Sequence, residues 1–159
     1  MRIIGIDPGT ATTGFSILEK TGNSFSLLDY GVIRTSSKIQ LPERLSQIGE
    51  DIRTLIKKWE PQKASIEKLF FNKNVKTAIS VAHARGVIMQ IFAEKGIYTE
   101  EHTPSKIKAS VCGYGKADKK AVQQMTKVLL NLSEIPQPDD AADAIAVAIC
   151  SLNTSNFNE

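Results

Sequence analysis

Four acidic residues stand where acids do chemistry. Asp7 follows the apolar run Ile3, Ile4 and Ile6 and precedes Pro8-Gly9-Thr10, while Glu67 closes the run Ala64-Ser65-Ile66. Both runs have the length and composition of short buried strands, so each acid sits at a strand end. Asp140 and Asp143 interrupt a segment that is otherwise Ala, Ile and Val. Three residues apart on a helix, they share one face. If the two strands are parallel neighbours, Asp7 and Glu67 emerge together at the carboxyl edge of the sheet, where open α/β sheets bind ligands. Buried carboxylates cost several kcal/mol each unless compensated, and a group of them repels itself. A divalent cation answers both costs, and hard carboxylate oxygens select Mg²⁺ or Mn²⁺. Two such ions ~4 Å apart clamp the attacking and leaving oxygens of a phosphodiester. The pattern therefore points to metal-assisted phosphodiester hydrolysis.

Each acid alone has an ordinary explanation. Asp in an Asp-Pro-Gly turn is common, Glu67 could be a surface residue, and Asp139 and Asp140 at a helix start could cap it and complement its dipole. Asp139 is assigned to the cap. The combination of strand-end Asp, strand-end Glu and helical Asp-x-x-Asp is far more specific than any part.

The elements that must position these acids follow from periodicity and punctuation. Strands are expected at Ile3–Asp7, Gly14–Leu18 and Ser26–Ile33, the last two joined by a turn at Thr21-Gly22-Asn23. Pro42 opens a helix carrying Leu45, Ile48, Ile52, Leu55, Ile56 and Trp59 at helical spacing, and Pro61 ends it. The strand at 64–67 then returns through a helical crossover, which predicts that it runs parallel to the first. Val75 to Lys95 reads as a long helix ended by Gly96. It is apolar on more than one side, so a neighbouring helix or a second subunit must cover it. A short strand at Ile97–Thr99, a helix from Pro104 to about Val111, a helix capped by Asp118 and a last helix from Asp139 to about Leu152 complete the chain. The fold class expected is α/β, a mixed five-stranded sheet with helices on both faces. One nuclease domain is expected over residues 1–152, with 153–159 a polar tail.

Of the 159 residues, 20 are Lys or Arg and 17 Asp or Glu, a net charge of only +3, so distribution matters more than total. Between Lys106 and Lys127 there are six lysines and one acid, Asp118. A basic segment just before the acidic helix suits a polyanion whose phosphate must reach the metals. Lys68, Lys73 and Lys76 surround Phe70 and Phe71, a pairing that suits stacking on unpaired bases; Phe70 is the one assigned to DNA. Any single Lys here is also at home on a solvated helix face. Cys112 and Cys150 are too few for a disulfide framework. No signal peptide and no membrane span is expected, and a cytoplasmic protein is the simple reading. His83 and His102 lack metal-ligand spacing, His83 being read as a packing residue on an apolar helix. Neither a Gly-x-Ser-x-Gly elbow nor a Walker phosphate loop is present.

The motifs together resemble one family. Ile4-Gly5-Ile6-Asp7-Pro8-Gly9-Thr10, Ile66-Glu67 followed by Phe70, Ala84-Arg85-Gly86-Val87, Pro104 through Lys108, Val111 through Lys119 and Asp139-Asp140-Ala141-Ala142-Asp143-Ala144 resemble, in order, the bacterial RuvC Holliday-junction resolvases. The likeness runs from the N-terminus to about Leu152. The opening motif alone is shared with sugar kinases and actin-like ATPases; the ordered set is not. The loop Leu69 to Asn74 looks less regular than the family pattern. The resemblance implies an RNase H-like homodimer that makes symmetric nicks across four-way junction DNA and works with the RuvA and RuvB branch-migration proteins. It implies that Asp7, Glu67, Asp140 and Asp143 bind the metal, two Mg²⁺ ions per subunit with Mn²⁺ as a substitute. It implies further that Phe70 lies against bases, that Lys108 and Lys119 contact DNA near the cut, and that the helix carrying Arg85 and Gly86 lies at or near the dimer interface.

Two other classes remain open on the sequence. An actin-like phosphotransferase would need a second lobe for which 159 residues leave little room. A non-catalytic junction-binding module would gain nothing from acids facing DNA phosphates.

Overall fold

The computed structural model describes residues 1–22, 24–69 and 75–154, with side chains omitted for 75–77. Its strands are β1 (Arg2–Asp7), β2 (Thr12–Thr21), β3 (Ser24–Arg34), β4 (Lys63–Glu67) and β5 (Tyr98–His102). They form one sheet in the order β3-β2-β1-β4-β5. The pairs β1–β2 and β2–β3 are antiparallel, while β1–β4 and β4–β5 are parallel, as the helical crossovers require. The helices are α1 (Leu41–Trp59), α2 (Val75–Glu94), α3 (Pro104–Cys112), α4 (Lys119–Leu129) and α5 (Asp139–Thr154). The mixed sheet with helices on both faces is the architecture expected from the sequence.

Strand alternation divides the core. Ile4, Ile6 and Ile17 face α1 and α2, packing on Ile48, Ile52, Ile88 and Phe92. Ile3 and Leu18 face the other way, onto α3, α4 and α5 through Ile107, Val122, Ile145 and Ile149.

The small residues of α5 set the geometry of the site. With Ala at 141, 142, 144, 146 and 148, the helix backbone settles directly onto the sheet. A Cβ on Gly5 would strike the Ala144 carbonyl, and one on Gly14 the Asp140 carbonyl. The buried hydroxyls of Ser16 and Ser65 donate to the carbonyls of Ala144 and Val147 at 2.9 and 2.8 Å. Four strand residues thus fix the register of α5, and with it the positions of Asp140 and Asp143.

Several sequence expectations shift. The β2–β3 ladder extends through Thr12 and Thr21, beyond the apolar alternation, because antiparallel pairing recruits polar neighbours. β5 runs to His102 rather than stopping at Thr99. His83 is exposed on α2 and is not a packing residue. Asp139 lies within α5 and does not cap it: the Pro138 carbonyl accepts from Ala142, while the Asp139 carboxylate takes a bond from Gln123 of α4. The cap on α4 is as expected, Asp118 accepting from the Ala121 amide at 2.8 Å.

Candidate metal and DNA-cleavage site

Topology alone brings three of the four acids together. In the β1–β4 ladder Ile6 pairs with Ile66, so Asp7 and Glu67 leave the sheet side by side. In the β1–β2 ladder Asp7 pairs with Gly14, and Gly14 lies beneath Asp140. Asp143, one turn further along α5, joins Asp7 and Glu67 in the wall of a cavity of about 340 Å³. Lys108 of α3 and Lys119 of α4 complete that wall. Asp140 lines the adjoining groove over the Gly9–Thr12 loop.

The electrostatics are those of an incomplete site. Burial pushes the Asp7 carboxyl up to about 8, and the charges of Glu67, Asp143 and Asp140 push the same way against a smaller opposing effect of Lys119. Glu67 is raised by burial and by Asp143, with Lys108 opposing. Asp143 is raised by burial, although Lys119 bonds it at 2.9 Å. Lys119 also pairs with Asp139 at 3.3 Å, and these two carboxylates hold its proton more firmly than usual despite burial. The ammonium of Lys119 is thus the nearest the protein comes to a counter-charge, and it cannot neutralise four acids.

Among the described residues, no three donor side chains converge tightly enough to cage an ion as they stand. Asp143 is held by Lys119, and Asp140 lines a separate groove. The donor set nonetheless fits a hard cation: all oxygens, with raised carboxyls whose common cure is positive charge. Metal bound there would favour their deprotonated forms.

The sequence reading gave several residues no role in holding the acids, Arg85 among them, which it placed only at or near a dimer interface. Arg85 donates to the main-chain carbonyl of Glu67 at 3.2 Å and pairs with Glu101, tying α2 to the end of β4. Behind the Pro8-Gly9 turn, Thr13 donates to the Gly9 carbonyl at 2.6 Å and Thr35 to the Thr10 carbonyl at 2.6 Å. Thr10 donates to the Ser80 carbonyl at 2.5 Å. Such bonds stiffen the turn that aims Asp7. Apart from Thr10, which closes the opening motif, they involve isolated hydroxyls on separate elements. Phe70, Phe71 and Lys73 lie outside the described residues, as does the side chain of Lys76.

Comparison with known proteins decides the family. The model of the family described as "Crossover junction endodeoxyribonuclease RuvC" matches residues 3–151. The chain belongs to the RuvC family. Its curated relatives include RuvC of Alkaliphilus oremlandii, 50% identical over 100% of this chain and 97% of that protein, and RuvC of Halothermothrix orenii, 49% identical over 99% and 96%. Among solved structures, Thermus thermophilus RuvC in complex with Holliday junction substrate superposes with a TM-score of 0.94. It is 28% identical, over 99% of this chain and 96% of that one. The sheet and helices are accordingly those of the RNase H-like fold, and the expectation of an endodeoxyribonuclease is met at the level of the family.

Proposed function

We propose that this chain resolves four-way DNA junctions by divalent-metal-assisted phosphodiester hydrolysis at Asp7, Glu67, Asp140 and Asp143. The observation that carries the reading is Asp7: buried at the sheet edge, raised to about 8, with three neighbouring acids and one weakly opposing lysine. Burying that much like charge destabilises a fold and is retained where a cation completes it.

The four carboxylates would hold two Mg²⁺ ions per subunit, with Mn²⁺ as a substitute. Such ions supply an activated water and neutralise charge on the phosphate. The chain's own groups do the rest. Glu67 and Asp143 stand with Asp7 in the wall of the catalytic cavity, as the oxygen donors that would hold the cations. Lys108 and Lys119, on the wall of the same cavity, draw the backbone in, and Lys119 adds positive charge as negative charge builds on the oxygens of the pentacoordinate phosphorus. In-line attack by water breaks the bond to the 3′ oxygen and leaves 5′-phosphate and 3′-hydroxyl ends. Phe70 stacks on bases near the crossover.

Residues 1–152 act as one nuclease domain, both cores resting on a single sheet. The chain works as a homodimer through α2, whose surface carries Ile79, half exposed, beside exposed His83 and Gly86. It acts in the cytoplasm with the RuvA and RuvB proteins. No described helix is long and apolar enough to cross a membrane.

End-labelled four-way junction and matched linear duplex, incubated with the protein in Mg²⁺ or chelator across several core sequences, test the reading. Paired nicks in opposite strands of the junction alone, lost in chelator, are expected. Cleavage of both substrates alike would remove the junction selectivity, and tight binding without cleavage at any core sequence would leave a non-catalytic module.

A further inference from the structure

We infer that the groove beside the metal site is a phosphate subsite in which Arg44 grips the DNA strand next to the cut. This rests on the proposed nuclease reading and adds a residue to it. The groove, about 500 Å³, is lined by the Gly9–Thr12 loop, Ser80, Val81, Arg44 and Asp140, whose charge acts on Asp7. A strand whose scissile phosphate sits over Asp7 must leave the catalytic cavity on one side or the other. Lys108 and Lys119 line the catalytic cavity, and Arg44 lines a groove that shares Val81 with the space over Asp7 and Glu67.

Arg44 is fixed without being neutralised. Its Nε donates to the hydroxyl of Thr35 at 2.8 Å, and that hydroxyl in turn donates to the Thr10 carbonyl at 2.6 Å. Thr35 is buried, so the anchor is rigid. Arg2, Arg53 and Arg85 each pair with a carboxylate; Arg34 and Arg44 pair with none among the described residues, and of these two Arg44 lines the groove. Its terminal nitrogens keep their donors for a ligand, in the planar fork that suits phosphate. The opposing wall is rigid as well. Thr13 and Thr10 tether the Gly9–Thr12 loop from behind, and a Cβ on Gly9 would run into the Thr12 carbonyl, so only glycine permits this tight turn. A stiff wall facing an anchored but unpaired guanidinium, one acid away from the metal site, fits a backbone phosphate.

Binding of four-way junction in chelator, with single neutral methylphosphonate linkages placed one at a time around the cut, reads this directly. Wild-type protein is expected to lose affinity at one linkage flanking the cut. Arg44→Gln is expected to bind the unmodified junction several-fold more weakly and to be indifferent to that same linkage. Its slope of log K against log salt should fall by about 0.9 for each phosphate that is no longer neutralised. Arg44→Lys, which keeps the charge but not the fork, should recover part of the slope. An Arg44→Gln protein with the wild-type slope and the wild-type methylphosphonate profile would overturn the subsite. So would a wild-type profile with no sensitive flanking linkage, a result that needs no variant to fold. Cleavage of unmodified junction by wild-type protein in Mg²⁺ reports separately on the nuclease reading.

Discussion

Two partly buried carboxylates on the same sheet meet opposite fates. Glu100, on β5, is pushed up by burial, yet ends below its ordinary range because Lys63 and Ser151 bond it and Lys63 and His102 add favourable charge. Lys63 Nζ stands 2.8 Å from its Oε1, and the Ser151 hydroxyl 2.6 Å from its Oε2. Asp7, on β1, receives no such company; its neighbours Glu67, Asp143 and Asp140 raise it further. Both acids bear the desolvation cost of burial, and only Glu100 is compensated from within the chain. A protein that can pair one such acid, yet sets Asp7, Glu67 and Asp143 in one cavity with Lys119 bonded to Asp143 alone of the three, has reserved them for a ligand. That contrast, more than the number of acids, separates a structural cluster from a functional one.

The contrast can be broken most severely at Asp7. Asp7→Asn is expected to reduce junction cleavage below detection in gel assays while junction binding in chelator stays at or above the wild-type level, since binding draws on lysines and loops. Equal loss of both would end that division of labour. Next in size, Lys119→Ala should lower the cleavage rate by roughly 10²-fold, the usual cost of removing one group that stabilises transition-state charge. Single-turnover kinetics will show it as a slower chemical step.

At Glu100 the same kind of change should act on stability. Glu100→Ala takes the carboxylate out of the pair with Lys63. Breaking a buried pair costs about 3–5 kcal/mol, and the lower end applies because the two side chains retain 13% and 19% exposure. Urea denaturation should register that loss, with cleavage per folded molecule unchanged.

Asp7→Asn should do the reverse and stabilise the metal-free protein. The folded-state value of about 8 lies above the ordinary value of 3.8, so the native state holds the extra proton. The associated stability is fully present below about pH 4 and is lost as pH rises through about 8. Asn does not titrate, so the variant's advantage in chelator should grow from pH 4 to 8 and then level off. Linkage alone gives about 4 kcal/mol at pH 7, offset by about 1–3 kcal/mol if the buried amide goes unpaired. Thermal melts across pH will show whether the difference has this sign.

Much of this was legible in the sequence because the signals were local. The strand-end acids, the Ala-rich helix around Asp140 and Asp143, the Asp118 cap and the helix-ending Gly96 each announce themselves within a few residues. The crossover rule supplied the parallel pairing that brings Asp7 beside Glu67. What was hidden depends on partners far along the chain. Glu100-Glu101-His102 lies past the strand expected at 97–99, until Lys63 and Ser151 from β4 and α5 meet Glu100 and the strand runs on to His102. Arg44 is one basic residue on the first turn of an amphipathic helix until Thr35 anchors it. The exposure of His83 likewise depends on which side of α2 the sheet takes, a choice that an all-round apolar helix does not reveal.

The most direct test of the central claim is a titration of Mn²⁺ binding, followed by the spectrum of the free ion, on the wild-type protein, Asp7→Asn and Glu100→Ala. The account predicts two ions per subunit for wild type, loss of that binding in Asp7→Asn, and retention in folded Glu100→Ala. Undiminished Mn²⁺ binding by Asp7→Asn, or no binding by wild type, would contradict it.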